Sequence, residues 1–292
     1  MPLTVTDFVT QLGYDIRRTI TAQSDPTLGT VYNLIYQASE WILAYCADLK
    51  SELGRKDGSI SIVKGQSSYT DFADDLYAPY HKAWITKLPP TGQSRDRVDL
   101  CSEDEVLNYD PTSTSATEPD KFYFDKNNTL TFLSIPDVAY PYFTLPYWYH
   151  QTRIKALSYP ITGVDLTNPC VVHFVAGHDF GTDDRMWVDG TSVGATELQN
   201  RWFTVTNSSS TSVTLQGIDA TGYSAWTSGG NGLTVLPFNG VFDTIFLKYC
   251  GLSILVGDEY QVPIEQAWFQ FLLNQVKRTI MMRRNPVSKV SR

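Results

Sequence analysis

Between residues 161 and 236 the chain runs in short bursts of alternating apolar and polar side chains, VVHFV, RMWVDG, RWFTVTN and SVTLQGI, separated by clusters of Gly, Asn, Asp, Ser and Thr. A period of two turns one face of each burst toward an interior and the other outward. Strands this short cannot bury a face alone, and the repeated turn signals fold them back on one another, so a small all-β barrel or sandwich is predicted. The change of texture at Tyr159-Pro160 and again at Pro237 bounds this module at residues 159–236.

The flanking segments carry the helical period instead. Val31, Leu34, Ile35, Ala38, Trp41, Ile42, Tyr45 and Leu49 recur as one buried helix face, opened by Asp25-Pro26 and ended by Gly54 and an RKDG turn. A shorter helix before it carries Phe8, Leu12 and Ile16 and is capped by Thr6 and Asp7. After the module, Val241, Ile245, Phe246, Tyr249, Leu252 and Leu255 mark a helix ended by Gly257-Asp258. Pro263 opens the next, with Ile264, Trp268, Phe271, Leu272, Val276 and Ile280 on its face and Asn285-Pro286 as its stop. Between 59 and 150, SISIV, RVDLC, KFYFD and LTFLSI read as strands, with a hairpin turn at Lys126-Asn127-Asn128-Thr129. SYTDFADDLYAPY reads as a short helix with a solvated acidic face, residues 109–120 as a polar loop, and YFTLPYWYH as an edge strand because Pro146 cannot donate to a ladder. The predicted fold class is α+β: a helical core from the N- and C-terminal helices with a β part, residues 1–158 and 237–292, plus the inserted all-β module.

Charge is unevenly spread. Lys277 to Arg292 hold six Lys or Arg and no acid, while the whole chain has 23 basic and 31 acidic residues and a net charge of −8. Removing those six bases leaves 17 against 31, or −14. Part of the bias suits a helix dipole, with Glu265 in the first turn and Lys277, Arg278, Arg283 and Arg284 near the end. The rest is a cationic end on an acidic body, suited to a neighbouring copy, an acidic partner or nucleic acid. It is too short for a nucleic-acid-binding domain, and the acidic body opposes close approach to DNA except as the lining of a ring. The 17 Tyr and 7 Trp fit either extensive interfaces or a large β core. Four separated cysteines with no CxxC pair predict free thiols in a reducing compartment, and the N-terminal residues suggest neither a signal peptide nor a membrane span.

Gly190-Thr191-Ser192-Val193-Gly194 matches G-x-S-x-G, the nucleophile elbow that lifts a serine above a parallel sheet. A Thr/Ser-rich β region follows it, so a β-turn is expected. His173, His178, Asp179, Asp183 and Asp184 crowd one stretch; five residues apart, the histidines fall on opposite faces of a strand, and a solvated loop with a structural histidine is expected over a metal site. Three acid clusters (Asp71, Asp74 and Asp75; Glu103, Asp104 and Glu105; Asp179, Asp183 and Asp184) read as solvated surface. No phosphate loop, dinucleotide fingerprint or HExxH helix occurs, so no cofactor, metal or catalytic residue is assigned. Trp187, Trp202 and Trp226 are candidates for stacking on a sugar, with Trp202 expected to pack within the strands.

NPCVV, the loop at His178-Asp179-Phe180, the run from Val193 to Val205 and GIDATGYSAWTSGG resemble a small β-barrel module of phage structural proteins, similar to the first catalytic cysteine half-domain of ubiquitin-activating enzymes. The resemblance implies a structural role and brings no catalytic residue. YNLIYQASEWILAYC, YFTLPYWYH and QVPIEQAWFQFLLNQVKRTIMMRR resemble the head-to-tail adaptor, or connector, proteins of short-tailed bacteriophages. That family implies a non-enzymatic virion protein at the head–tail interface, made in the host cytoplasm and assembled as a homo-oligomeric ring of twelve. The implied partners are the portal protein and other tail proteins, nozzle or fibres, with DNA passing through unread and no membrane contact. Arg278, Arg283, Arg284, Lys289 and Arg292 would dock on the portal or a neighbour. The alternative is a tail nozzle, fibre-attachment or receptor- and glycan-binding tail protein, and a hydrolase using Ser192 or the Asp183-Asp184 loop stands third.

Overall fold

The computed structural model describes residues 3–70, 72–73, 75–87, 94–108, 116–125, 128–151, 153–190, 192–257 and 265–284. The chain divides into two compact units, one from residues up to Ile42 and from Gln151 onward, the other Leu43–His150.

In the first unit, α1 (Val5–Ile16) buries Val5, Phe8, Val9, Leu12 and Ile16. Its cap is Thr4, two residues before the predicted one: Thr4 keeps an extended backbone and its Oγ1 accepts from the Asp7 N–H at 3.1 Å, whereas Thr6 is already helical. Arg17, left-handed at φ 56°, ends the helix, and the Arg18 N–H closes onto the Gly13 carbonyl at 2.9 Å. α2 (Leu28–Asp48) buries Val31, Ile35, Ala38 and Ile42 at the predicted spacing. Here the second unit begins, and its short α3 (Glu103–Leu107) starts with a capping box between Ser102 and Glu105. Back in the first unit, α4 (Asp243–Gly257) stacks Tyr249 on Trp41 and brings Gly251 against α1, where an added methyl would lie 3.7 Å from Leu12 Cδ1. α5 (Glu265–Arg284) buries Leu272, Val276 and Ile280. Of its predicted face, Phe271 is instead exposed, because it lies about 100° round the helix from Leu272 and away from the buried row, while Ile264 and the Trp268 side chain lie outside the described residues, as do Pro263 and the Asn285-Pro286 stop.

The second unit is a sheet of β1 (Arg55–Ile62), β2 (Ser68–Tyr69), β3 (Leu76–Pro79), β4 (Lys82–Lys87), β5 (Ser94–Leu100), β7 (Lys121–Phe124), β8 (Leu130–Phe132) and β10 (Tyr140–Tyr149), with a small pair of β6 (Ala116–Thr117) and β9 (Ile135–Pro136). The order is β1-β10-β4-β5-β7-β8-β2, β3 also pairs with β10, and only β5–β7 within it is parallel. Phe143 sits edge-on to Phe132 at 5.1 Å and to Phe122 at 5.5 Å, and Phe72 meets Tyr147 at 5.8 Å, so much of the aromatic content is core.

Several expectations change here. RKDG is the start of β1, paired to Trp148, Tyr147, Pro146 and Leu145; its glycine serves close packing, since a methyl at Gly58 would lie 2.7 Å from Phe72 Cζ. SYTDFADDLYAPY supplies β2 and β3, because Phe72 and Leu76 are drawn into the aromatic core and the ladders to β8 and β10 outweigh local helix preference. Asp71 and Asp74 lie outside the described residues, as do 109–115, Lys126 and Asn127; β7 and β8 pair antiparallel across the predicted turn, and the described end of the 109–120 loop contains β6. β10 is an interior strand. Pro146 is tolerated because its carbonyl, and with it its nitrogen, faces the Tyr80 connection between β3 and β4, where the Tyr80 N–H donates to it at 2.9 Å and no ladder donor is needed.

Within the first unit, β11 (Ser158–Asp165), β12 (Val171–Phe174), β13 (Arg185–Val188), β14 (Arg201–Ser209), β15 (Ser212–Leu215) and β16 (Asn231–Thr234) form a closed antiparallel barrel in the order β11-β12-β15-β14-β13-β16. Its interior is filled by Ile161, Val172, Phe174, Met186, Val188, Phe203, Val205, Val213 and Leu215. β16 closes it by pairing with both β11 and β13, and Gly232 leaves room for Met186 and Phe174. The fold is therefore α+β, with helices toward both ends of the chain and a small closed barrel inserted.

Candidate functional site

With Met186, Val188, Phe203 and Val205 filling the barrel, alternation turns Trp187 and Trp202 outward. The register places Trp187 opposite Trp202 on one side and opposite Leu233 on the other, so Trp202, Trp187 and Leu233 form an apolar row across β14, β13 and β16. The two indoles are in contact, with centroids 4.8 Å apart and planes at 56°. Trp202 is thus half-buried on the outer face and is not the interior residue that was expected. Trp226 packs against the barrel core, its Nε1–H donating to the Gly229 carbonyl at 3.2 Å.

The start of α1 approaches this row. Leu3, Thr6 and Asp7 face Trp187, Trp202 and Leu233 across a groove of about 400 Å³. Leu3 is fixed by its N–H donating to Asp243 Oδ2 at 2.8 Å and by its carbonyl accepting from the Leu236 N–H. Burial raises the Asp243 carboxyl above the usual carboxylate range, and its buried Oδ1 has no hydrogen-bond partner among the described residues. Asp7 Oδ2 accepts from Thr4 Oγ1 at 2.7 Å, and its other oxygen has no partner among the described residues. Trp202 Nε1 is also buried with no acceptor among the described residues. An unmade hydrogen bond of this kind costs about 1–3 kcal/mol. The sequence singled out the two tryptophans separately; Leu3, Thr6, Asp7 and Leu233 were missed because nothing local ties them together.

The other candidates form no reactive constellation. Ser192 Oγ accepts from Gln199 Nε2 at 2.8 Å, and no histidine is among its partners. Gly194, at φ 79°, lies where a methyl would come 1.9 Å from the Ala225 carbonyl, and only a single 3-10 turn at Thr196–Leu198 follows, so the motif is a tight turn; Thr191 lies outside the described residues. His178 is structural: Nδ1 accepts from the Phe180 N–H at 3.2 Å and Nε2 lies 3.1 Å from the Ser212 carbonyl. It stands beyond the end of β12, so the opposite-face argument does not apply to it. His173 instead pairs with Asp165 at 2.9 Å. Asp179 is not solvated: its side chain is 6% exposed and accepts from the Tyr159 hydroxyl at 2.5 Å and the Lys155 N–H at 2.7 Å, with Lys155 Nζ 3.0 Å away. Burial first, then that hydrogen bond, raises the Tyr159 phenol. Asp183 accepts from Gln216, Asp184 from the Gly181 N–H, and Asp75 from Lys56 and Tyr147. Glu105 pairs with Lys121. Burial pushes the Cys46 thiol up to about 12 and those of Cys101 and Cys170 to about 11, away from nucleophilic use. Among the described residues no three His, Cys, Asp or Glu side chains could hold a metal ion, and no helix is long and apolar enough to cross a membrane.

Of the predicted docking residues, Arg278 is exposed on α5, Arg283 and Arg284 are in the helix with side chains outside the described set, and Lys289 and Arg292 lie outside the described residues. Opposite the buried row, Phe271, Asn274, Arg278 and Met281 share one exposed stripe at three- and four-residue spacing, with Phe271 41% and Met281 53% exposed. Lys248 Nζ lies 5.3 Å from the Phe271 ring. No protein-family model matches the chain, and no curated protein matches it in sequence.

Proposed function

We propose that this chain is a non-catalytic virion protein, a ring subunit of a bacteriophage head-to-tail connector that joins the portal to the tail and continues the DNA channel. The observation that carries the reading is the exposed stripe of α5, apolar at Phe271 and Met281 and basic at Arg278. A stripe that mixes large apolar side chains with arginine is the composition of a protein interface. Its charge complements an acidic surface such as the body of a neighbouring copy. The α+β architecture with an inserted barrel agrees with the connector resemblance, which supplies the identity of the partners.

The test is attachment of the full chain to portal-bearing heads, set beside Arg278→Glu and a chain cut after Arg284. The cut is placed there because Ile280, further back in α5, is fully buried. Both variants should keep the wild-type thermal transition and lose attachment by at least about tenfold, the effect of removing an interface contact worth roughly 1.4 kcal/mol. Unchanged attachment by both would refute the assignment. The second reading, a nozzle, fibre-attachment or receptor-binding tail protein, is favoured by the outward tryptophan row.

A further inference from the structure

We infer that the groove between α1 and the outer face of the barrel binds a saccharide. Three features of the groove support this, independently of the connector reading. The outer face of a small antiparallel barrel is ordinarily polar, yet here Trp202, Trp187 and Leu233 lie side by side on it. The space beside them, about 400 Å³, falls within the roughly 300–1,000 Å³ of small-molecule sites, which pair apolar walls with a few polar groups. The polar groups on the groove are the half-buried Thr6 and the exposed Asp7 carboxylate, one of whose oxygens has no partner among the described residues.

The chemistry of the walls selects the ligand class. A sugar ring offers an apolar C–H face to an indole and hydroxyl donors to a carboxylate, and so complements both walls. A proline-rich segment, another occupant of aromatic grooves, presents carbonyl acceptors and lacks proline N–H donors, leaving Asp7 facing groups of its own polarity. A quaternary ammonium is recognised by aromatic faces arranged around it. With centroids 4.8 Å apart the indoles touch each other and leave no room for a cation between them.

The experiment screens the full chain on a broad glycan array, then titrates the oligosaccharide of strongest signal against intrinsic tryptophan fluorescence, with decaproline and choline chloride as the competing classes. A saturable saccharide response is expected, with Kd on the order of 1 mM or tighter. Trp187→Ala and Asp7→Asn should each weaken it at least tenfold, and Tyr14→Ala, on an exposed position of α1, should leave it unchanged. Asp7→Asn keeps an oxygen for Thr4 Oγ1, so it carries the test if Trp187→Ala fails to fold. A silent array, a response indifferent to both groove variants, or saturation by decaproline or choline in place of a sugar would overturn the inference. Head attachment by Asp7→Asn should stay at the wild-type level, which separates this result from that of α5.

Discussion

Replacing Gly232 by alanine puts a methyl inside the barrel on the strand that closes it. That methyl would lie 2.7 Å from Met186 Sδ and 2.9 Å from Phe174 Cε1, closer than relaxed packing allows. Two effects oppose one another. Restricting the unfolded chain favours alanine by about 0.4–1 kcal/mol, whereas overpacking a filled core costs about 1–3 kcal/mol. Met186 can yield by rotation. Phe174 is held by His178 at 5.2 Å and Phe180 at 5.7 Å, so it cannot move without disturbing both. Overpacking should win, with a net loss of about 0.5–2 kcal/mol. Since two separate units make a single unfolding free energy ill-defined, the assay is amide hydrogen exchange read by peptide. Amides of β13 and β16 should exchange roughly 2- to 30-fold faster while those of β1 and β10 do not change. Adding Met186→Ala should give a double variant less perturbed than the two single losses together, by at least about 0.5 kcal/mol. Exchange that is unchanged or slower in Gly232→Ala would refute the filled interior at β16, and with it the register that sets Leu233 outside beside Trp187.

Two further outcomes follow from the polar contacts. Asp179→Ala leaves the buried Tyr159 hydroxyl without its acceptor and should cost the barrel about 1–3 kcal/mol, read from faster amide exchange in β11 and β12, whereas Asp179→Asn, which keeps an acceptor, should cost less; equal losses would count against the hydrogen bond. The Lys121 ammonium, then the Ser102 N–H, holds the Glu105 carboxyl down from 4.5 to about 2. A depressed carboxylate contributes stability above its unfolded value and loses it as pH falls through the folded one. The difference in melting temperature between wild type and Glu105→Gln should therefore be present at neutral pH and close between pH 4.5 and about 2, and a constant difference across that window would refute the assignment.

The longest helix of the first unit was legible because a 3.6-residue period sustained over several turns has no β alternative: Val31 and Ile35 differ in parity from Ala38 and Ile42, so the four cannot share a face in a strand. The bursts that became β12 to β15 were legible for the complementary reason. Residues 68–79 were not, because a stretch with acids at 71, 74 and 75 and aromatics between them fits a helix locally; Phe72 and Leu76 take their places from strands far along the chain. β11 and β16 escaped notice because each carries a residue that argues against a strand, Pro160 and Gly232. Asp179 looked solvated because its partner Tyr159 lies twenty residues away.

The tryptophan row was half legible, and the division is physical. In RMWV and RWFTV the parity is written in the chain: Arg185 shares a side with Trp187, and Thr204 with Trp202, so polar neighbours mark the outward face. The interior then enforces that choice, since a slip of one residue in β13 would expose Met186 and Val188 together. Parity says nothing of which residue lies opposite which. That depends on the pairing of β13 with β14 and with the distant β16, so the contact between the indoles and the addition of Leu233 exist only once the barrel closes. Core packing needs these outward positions to be neither interior nor aromatic. Leu3 and Thr6 of the incoming chain cover only part of the row, and what remains is an apolar wall beside the exposed Asp7 carboxylate, one oxygen of which has no partner among the described residues. A ligand with an apolar face and hydroxyl donors would complement both parts of that surface, which is what the glycan titration of Trp187→Ala and Asp7→Asn measures.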